Sequence, residues 1–224
     1  MVAKLITVDG PSGVGKGTLS RLLAAKLGWK WLDSGVLYRL LAYLAVQDGV
    51  EADDIDRLVN LVAQLRVEFS VDPNEPIKIS LNGEDVTHKI RTEIISQMAS
   101  KVSSHGPVRA ALLQRQRDFF TNEGLVTDGR DMGTVVFPDA PLKFYLTASP
   151  EVRAERRRKQ LILQGVDVNM HDLLAEIRAR DERDRNRAVA PLKPAKDAIT
   201  IDTSDLSIDQ VESIMMDKVK TAGL

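Results

Sequence analysis

The residues best equipped for chemistry in this chain are Gly10-Pro11-Ser12-Gly13-Val14-Gly15-Lys16-Gly17-Thr18. Glycine lets a backbone turn tightly enough to aim several N–H groups at one point. A helix that begins there adds partial positive charge, so the run suits an anion with many phosphate oxygens. Lys16 adds a mobile ammonium for the outer phosphates of a nucleoside triphosphate such as ATP. A strand-to-helix turn that merely needs glycine has no use for a lysine at this spacing. Ser or Thr ordinarily follows the lysine and ligates magnesium, but here Gly17 holds that place and Thr18 comes next. A Mg2+ ion would then be held mainly by nucleotide phosphates and water, which suits its reluctance to shed its hydration shell.

Two further clusters follow apolar runs that read as strands. Asp33-Ser34-Gly35 can cap a helix and offer N–H groups to a second phosphate, with Arg39 about one turn on. Asp128-Gly129-Arg130-Asp131-Met132-Gly133 places Asp128 at a strand end, where an acid can act on magnesium through water, and sends Arg130 and Asp131 into the same cleft. The plainer readings are a simple N-cap with a solvated arginine, and a turn in which Arg130 and Asp131 pair locally.

A third cluster is rich in arginine. Arg153, Arg156, Arg157 and Arg158 fall on one helical pattern, and Arg178, Arg180, Arg183, Arg185 and Arg187 on another, with Gly165 as a turn between them. Spacings of three and four put Arg180, Arg183, Asp184 and Arg187 on one face. Residues 151–187 hold ten Lys or Arg against eight acids, a balance that argues against a nucleic-acid stripe. A solvated face of ion pairs is the rival reading. Phosphoryl transfer between two nucleotides, however, has a specific need for arginine. Both substrates are polyanions, and the acceptor phosphate is largely ionised at neutral pH, with a second pKa of about 6. No general base is required. The protein must hold two anions in line, offset their charge with bidentate cations and exclude water.

The elements that must position these groups alternate between strand and helix at both ends of the chain, as parallel βαβ units do. Leu5–Asp9, Trp29–Leu32, Leu125–Asp128, Leu142–Leu146 and Ala198–Asp202 read as buried strands, and Gly28 as the end of the first helix. Ser207 to Gln210 reads as a capping box before a last helix that faces Val211, Ile214, Met215 and Val219 inward. The middle breaks the alternation. Arg66–Val71 and Ile77–Leu81 are strand candidates around the loop-like residues 72–76, Asn82-Gly83 is a hairpin turn, and Ile90, Ile94, Met98 and Val102 suit one helix face ended by Gly106-Pro107. Residues 62–104 therefore read as an inserted subdomain within a core of residues 1–61 and 105–224, with a short helical lid inside 151–187.

Composition narrows the class. The chain has 224 residues, 43% hydrophobic and 28% charged, with net charge −1 and no cysteine. That excludes a disulfide framework and a thiolate metal site, and provides no global field for nucleic acid. The first apolar run stops at Asp9 and no stretch approaches a membrane span, so the expectation is a soluble cytoplasmic protein without leader or membrane partner. His88, His105 and His171 are scattered and show no ligand spacing.

With these residues on the page, the chain resembles the bacterial cytidylate kinases, which phosphorylate CMP and dCMP. Gly10–Thr18 with its Gly-Lys-Gly-Thr ending, Leu32-Asp33-Ser34-Gly35, Asp128–Ala140 and Arg180–Arg187 carry the resemblance over nearly the whole length. It implies an α/β fold of the P-loop NTPase type, three layers with a five-stranded parallel sheet, an inserted α+β monophosphate-binding subdomain, and a monomer using ATP and Mg2+. It implies that Ser34, Arg39, Arg130 and Arg187 hold the acceptor phosphate, that Ser100, Arg109 and Asp131 read cytosine, and that Arg180 and Asp184 contact ribose. Arg153, Arg157 and Arg183 fall at the lid and transfer site beside Lys16. The residues alone reach only an ATP-dependent kinase with a small anionic acceptor. A kinase preferring UMP or another monophosphate, and a nucleotide-switched binding module without turnover, stay open on that basis.

Overall fold

The computed structural model describes residues 3–70, 78–163, 165–166 and 168–224. Five strands form one parallel sheet: β1 (Leu5–Asp9), β2 (Lys30–Asp33), β6 (Leu125–Gly129), β7 (Leu142–Thr147) and β8 (Ile199–Asp202), in the order β2-β6-β1-β7-β8. Every strand predicted for this sheet is present, with ends within a residue or two. Successive residues face opposite layers. Leu5, Leu32 and Leu125 join one core cluster, whereas Ile6, Val126 and Leu142 join the other. Helix α1 (Lys16–Leu27) and α8 (Ile208–Thr221) cover the second face. Helices α2 (Ser34–Gln47), α3 (Ile55–Val62) and α5 (Gly106–Arg117) cover the first.

The middle of the chain forms a small antiparallel sheet, β3 (Val67–Ser70), β4 (Lys78–Leu81) and β5 (Glu84–Asp85), followed by α4 (Glu93–Val102). Leu81 faces Glu84 across a two-residue turn in which Asn82 and Gly83 carry φ of 53° and 88°, the left-handed pair that such a hairpin needs. The expectations for Val71, the loop 72–76 and Ile77 lie outside the described residues. Ile79, Leu81, Val86, Ile90, Ile95, Ala99 and Val102 belong to the same apolar cluster as the α2 face of the main sheet.

Three sequence expectations need correction. Ile94 is 71% exposed, and Ile95 is the buried residue instead. A 3₁₀ turn at Lys89–Arg91 stops at Thr92, which caps α4, so the periodicity restarts with a new phase. Gly106-Pro107 opens α5 rather than ending a helix, because proline near the first helical position gives up an N–H that would go unused. Ile214 is 37% exposed; Val211, Met215 and Val219 make the inner face of α8. The capping box is as expected, with Ser207 and Gln210 bonding each other's backbone N–H. The arginine-rich helices are α6 (Pro150–Leu163) and α7 (Met170–Arg185), with Gly165 at φ 77° between them.

Candidate active site

The carboxyl ends of β1, β2 and β6 lie side by side, at the place where ligands bind in open parallel sheets. The phosphate loop leaves β1 there. A Cβ at Gly10 would sit 2.2 Å from the Leu146 carbonyl oxygen, so only glycine lets the loop pass β7. Gly13 and Gly15 take φ of 79° and 93° and turn the chain into α1, whose first N–H groups receive no side-chain cap. They are therefore left for an anion. Lys16 is buried and folds back to donate to the Pro11 carbonyl at 2.7 Å. Burial, together with the Arg130 charge, pushes its ammonium down to about 7.

Three carboxylates surround this lysine. Asp9 accepts the N–H groups of Met132 and Gly133, both at 2.8 Å, and so fixes the π-helical turn Met132–Val136 to the end of β1. Burial raises Asp9 to about 6 in spite of those two bonds. Asp33 caps α2 by accepting from Gly35 N–H at 2.8 Å. Asp128 is the register partner of Asp33, and burial beside that second carboxylate drives it well above the usual range. A buried acid, Asp128, and a half-buried one, Asp33, at adjacent strand ends bring hard oxygen atoms together, an arrangement that favours a cation. Asp128 is the acid that the sequence pattern reserves for magnesium, and its oxygens lie beside Lys16 and Asp33. Among the described residues no three acids or histidines cluster tightly enough to hold a metal by themselves.

The rest of the cleft is built from side chains. Arg130 and Asp131 do not pair with each other. Arg130 Nε donates to Asp184 Oδ2 at 2.7 Å, whereas Asp131 pairs with the Arg109 guanidinium. Arg109 also donates to the Ser103 carbonyl at 3.2 Å and lies over the Tyr38 ring, 5.6 Å from its centroid. Tyr38 was not anticipated; its place one residue before Arg39, on the buried face of α2, was the available signal. Ser34 is buried at the start of α2, and Arg39 donates to the Ile90 carbonyl at 3.1 Å and to Ser96 Oγ at 2.7 Å, tying α2 to α4. Arg180 and Arg187 reach the same region. Arg180 Nε, Arg187 Nε and Nη2, and Ser100 Oγ are buried without any hydrogen-bond partner. Burial, with the Arg130 charge nearby, pushes Arg180 down to about 10. Buried donors left unmet are costly, so a cluster of them marks a place shaped for an anionic, hydrogen-bonding ligand.

The three arginines expected at a lid separate. Arg153 is 1% exposed and fully engaged: its guanidinium forms a forked pair with Asp181 and also donates to Ala148 O at 3.1 Å and Ser12 O at 3.2 Å. In this conformation it ties the phosphate loop to α7. Arg157 is partly exposed and meets Glu93 of α4 at 3.5 Å. Arg183 is exposed, so Arg180, Asp184 and Arg187 make the inward face without it.

A profile of the cytidylate kinases matches residues 6–221. The chain belongs to the cytidylate kinase family. It is 59% identical to a cytidylate kinase of Pseudomonas putida strain W619 over 93% of this chain and 92% of that protein. The identity is 57% to one of Aeromonas salmonicida strain A449, over 94% and 91%, and 56% to one of Pseudomonas savastanoi pv. phaseolicola, over 99% and 97%. Among solved structures, a gluconokinase from Sinorhizobium meliloti 1021 covers 99% of this chain, which covers 94% of it, at 16% identity and TM-score 0.49, too loose to add to that assignment. Members of the family are nucleoside monophosphate kinases. No helix among the described residues is long and apolar enough to cross a membrane.

Proposed function

We propose that this chain transfers the γ-phosphoryl group of ATP to CMP and dCMP, giving ADP and the corresponding diphosphate. The observation that carries this reading is the pair of buried guanidiniums with unpartnered donors, Arg180 and Arg187, that share the fields of the Arg109–Asp131 and Arg130–Asp184 pairs beside Lys16 of the phosphate loop. Residues 10–18 hold the donor phosphates, and Lys16 follows the charge that shifts onto the outer phosphates during transfer. Ser34, Arg39, Arg130 and Arg187 hold the acceptor phosphate, with Arg130 keeping its Nε on Asp184. Because that phosphate is already ionised, these residues bind and align it and no side chain removes a proton.

Base choice rests on Asp131, Arg109 and Ser100. Cytosine offers an amine donor beside a ring-nitrogen acceptor, whereas uracil offers a carbonyl and an N–H. Asp131 is acceptor-only, Arg109 is donor-only, and Ser100 serves as either. Their pairing holds acceptor and donor side by side, the order cytosine needs; uracil would set its carbonyl against a carboxylate. Arg180 and Asp184 serve the ribose. Residues 62–104 act as the monophosphate-binding subdomain and 151–187 as the lid, bringing Arg157 to the transferred group and excluding water. Asp128 would hold Mg2+ through a water molecule, and the ion when bound supplies charge neutralisation between the two nucleotides.

Coupled ADP release against a panel of monophosphates tests the proposal. ADP formation should depend on added CMP or dCMP and be far weaker with UMP. Equal specificity constants for UMP would overturn the base reading. Nucleotide binding without any monophosphate-dependent ADP would make the protein a switch rather than an enzyme.

A further inference from the structure

The donor side holds one oddity. Gly17 stands where a phosphate loop ordinarily carries Ser or Thr, whose hydroxyl shares magnesium with a strand-end aspartate. The space beside Gly17 faces an indole. A Cβ built there would meet a single atom within 4 Å, Trp31 Cζ2 at 4.0 Å. Trp31 lies on β2, next to β6, and is buried. It donates its Nε1–H to Asp128 Oδ1 at 3.0 Å. Hydrogen bonds inside the protein are strengthened by the low local dielectric and hold a side chain in one rotamer.

We propose that Trp31 is a positioning residue for the donor site: its indole N–H fixes the Asp128 carboxylate and takes one oxygen, reserving the other for the water shell of magnesium. Part of what a loop hydroxyl does elsewhere is thereby done from the neighbouring strand. Gly17 and the Trp31 indole are neighbours at ordinary contact distance, so the loop and the strand residue meet at the same corner of the donor site. The inference rests on Asp128 serving magnesium, as proposed above.

Trp31→Phe keeps an aromatic ring against Gly17 and removes the N–H. ATP affinity is measured by equilibrium dialysis, with Mg2+ and with a chelator, for the wild-type protein and the variant. The gain in affinity that Mg2+ confers should fall about tenfold in the variant, the lower end for a group that supports a metal contact, with affinity in chelator nearly unchanged. A purely structural tryptophan would lower both affinities alike. A second readout covers a variant that fails to fold. The chain has two tryptophans, so Trp29→Phe leaves Trp31 as the sole indole. Its emission should change when Mg2+ is added to the ATP-bound protein and stay constant when Mg2+ is added without nucleotide. Emission blind to Mg2+, or a Mg2+ gain that survives Trp31→Phe intact, overturns the role of Trp31. A wild-type protein with no Mg2+ gain overturns the assignment of Asp128 and the inference with it.

Discussion

The two halves of the cleft are made of different materials. The donor half is mostly backbone: a nine-residue loop, contiguous in sequence, whose N–H groups and helix start are set by glycine conformations and one lysine. The acceptor half is mostly side chain. Arg39, Arg109, Arg130, Asp131, Asp184 and Arg187 come from α2, α5, the β6 end, α7 and the segment just after α7, and meet only after the sheet has formed. A backbone site is complete as soon as its loop folds. A side-chain site is held by ion pairs among its own members, and each pair keeps a charged group buried until the substrate arrives. The donor half should therefore serve any triphosphate with little selectivity, and the acceptor half should carry the specificity.

The strongest challenge to that contrast is Lys16→Met. Lys16 is the only charged side chain the loop itself supplies, so turnover should drop on the order of a hundredfold or more for every acceptor alike, with the fold intact by circular dichroism. Normal turnover would remove the loop from the chemistry. Asp131→Ala comes next. It strands Arg109 and should cut kcat/KM for CMP by roughly tenfold to a hundredfold while UMP changes little, narrowing the ratio. A parallel loss with both bases would mean the pair is scaffolding.

Arg130→Lys is milder. A lysine can satisfy Asp184 or the phosphate, and not both as a fork does, so KM for CMP should rise about tenfold with ATP affinity steady. Equal loss of ATP binding would place Arg130 on the donor side. The smallest effect is a proton count. Burial holds Lys16 at about 7 in the nucleotide-free protein, below its unfolded value of 10.5, so at pH 8 the folded protein lacks part of that proton. Donor phosphates draw it back. ATP binding at pH 8 should take up somewhat less than about one proton, read as a difference in binding enthalpy between buffers of unlike ionisation heat. No buffer dependence would show Lys16 already charged.

The same division explains what the sequence made legible. Buried parallel strands are short apolar runs on any reading, so β1, β6 and β7 stood out, and the loop is defined by neighbours in sequence. The acceptor groups were visible as residue types, but their partners were not: nothing near Asp131 in sequence names Arg109, twenty-two positions earlier. Helical phase failed where a cap intervened. Ile90, Ile94, Met98 and Val102 fit one stripe only if no break falls between them, and Thr92 is that break. Arg183 was placed inward by spacing from Arg180 and Arg187, yet α7 turns its Asp181–Asp184 side to the protein and leaves Arg183 in solvent. Arg153 looked like its arginine neighbours, and its full burial is a tertiary fact. Trp31 reads in sequence only as part of a strand and Tyr38 does not stand out, because nothing near them in sequence names Asp128 or Arg109 as a partner.

Arg153 also sets the mechanics of the arginine-bearing helices. Clamped between Asp181 of α7 and the Ser12 carbonyl of the loop, it is a fulcrum set against the phosphate-binding end of the molecule. Helices lever about such a point rather than slide past it. At 1.5 Å of rise per residue, Leu163 lies about 15 Å out along α6 and Arg157 only about 6 Å. A tilt of a few degrees about that point would therefore move the tip of α6 by about an ångström and Arg157 by less than half as much. Under the lid role proposed for these helices, the tips would supply coverage and the arginine near the fulcrum aim, so that one rotation would serve two tolerances.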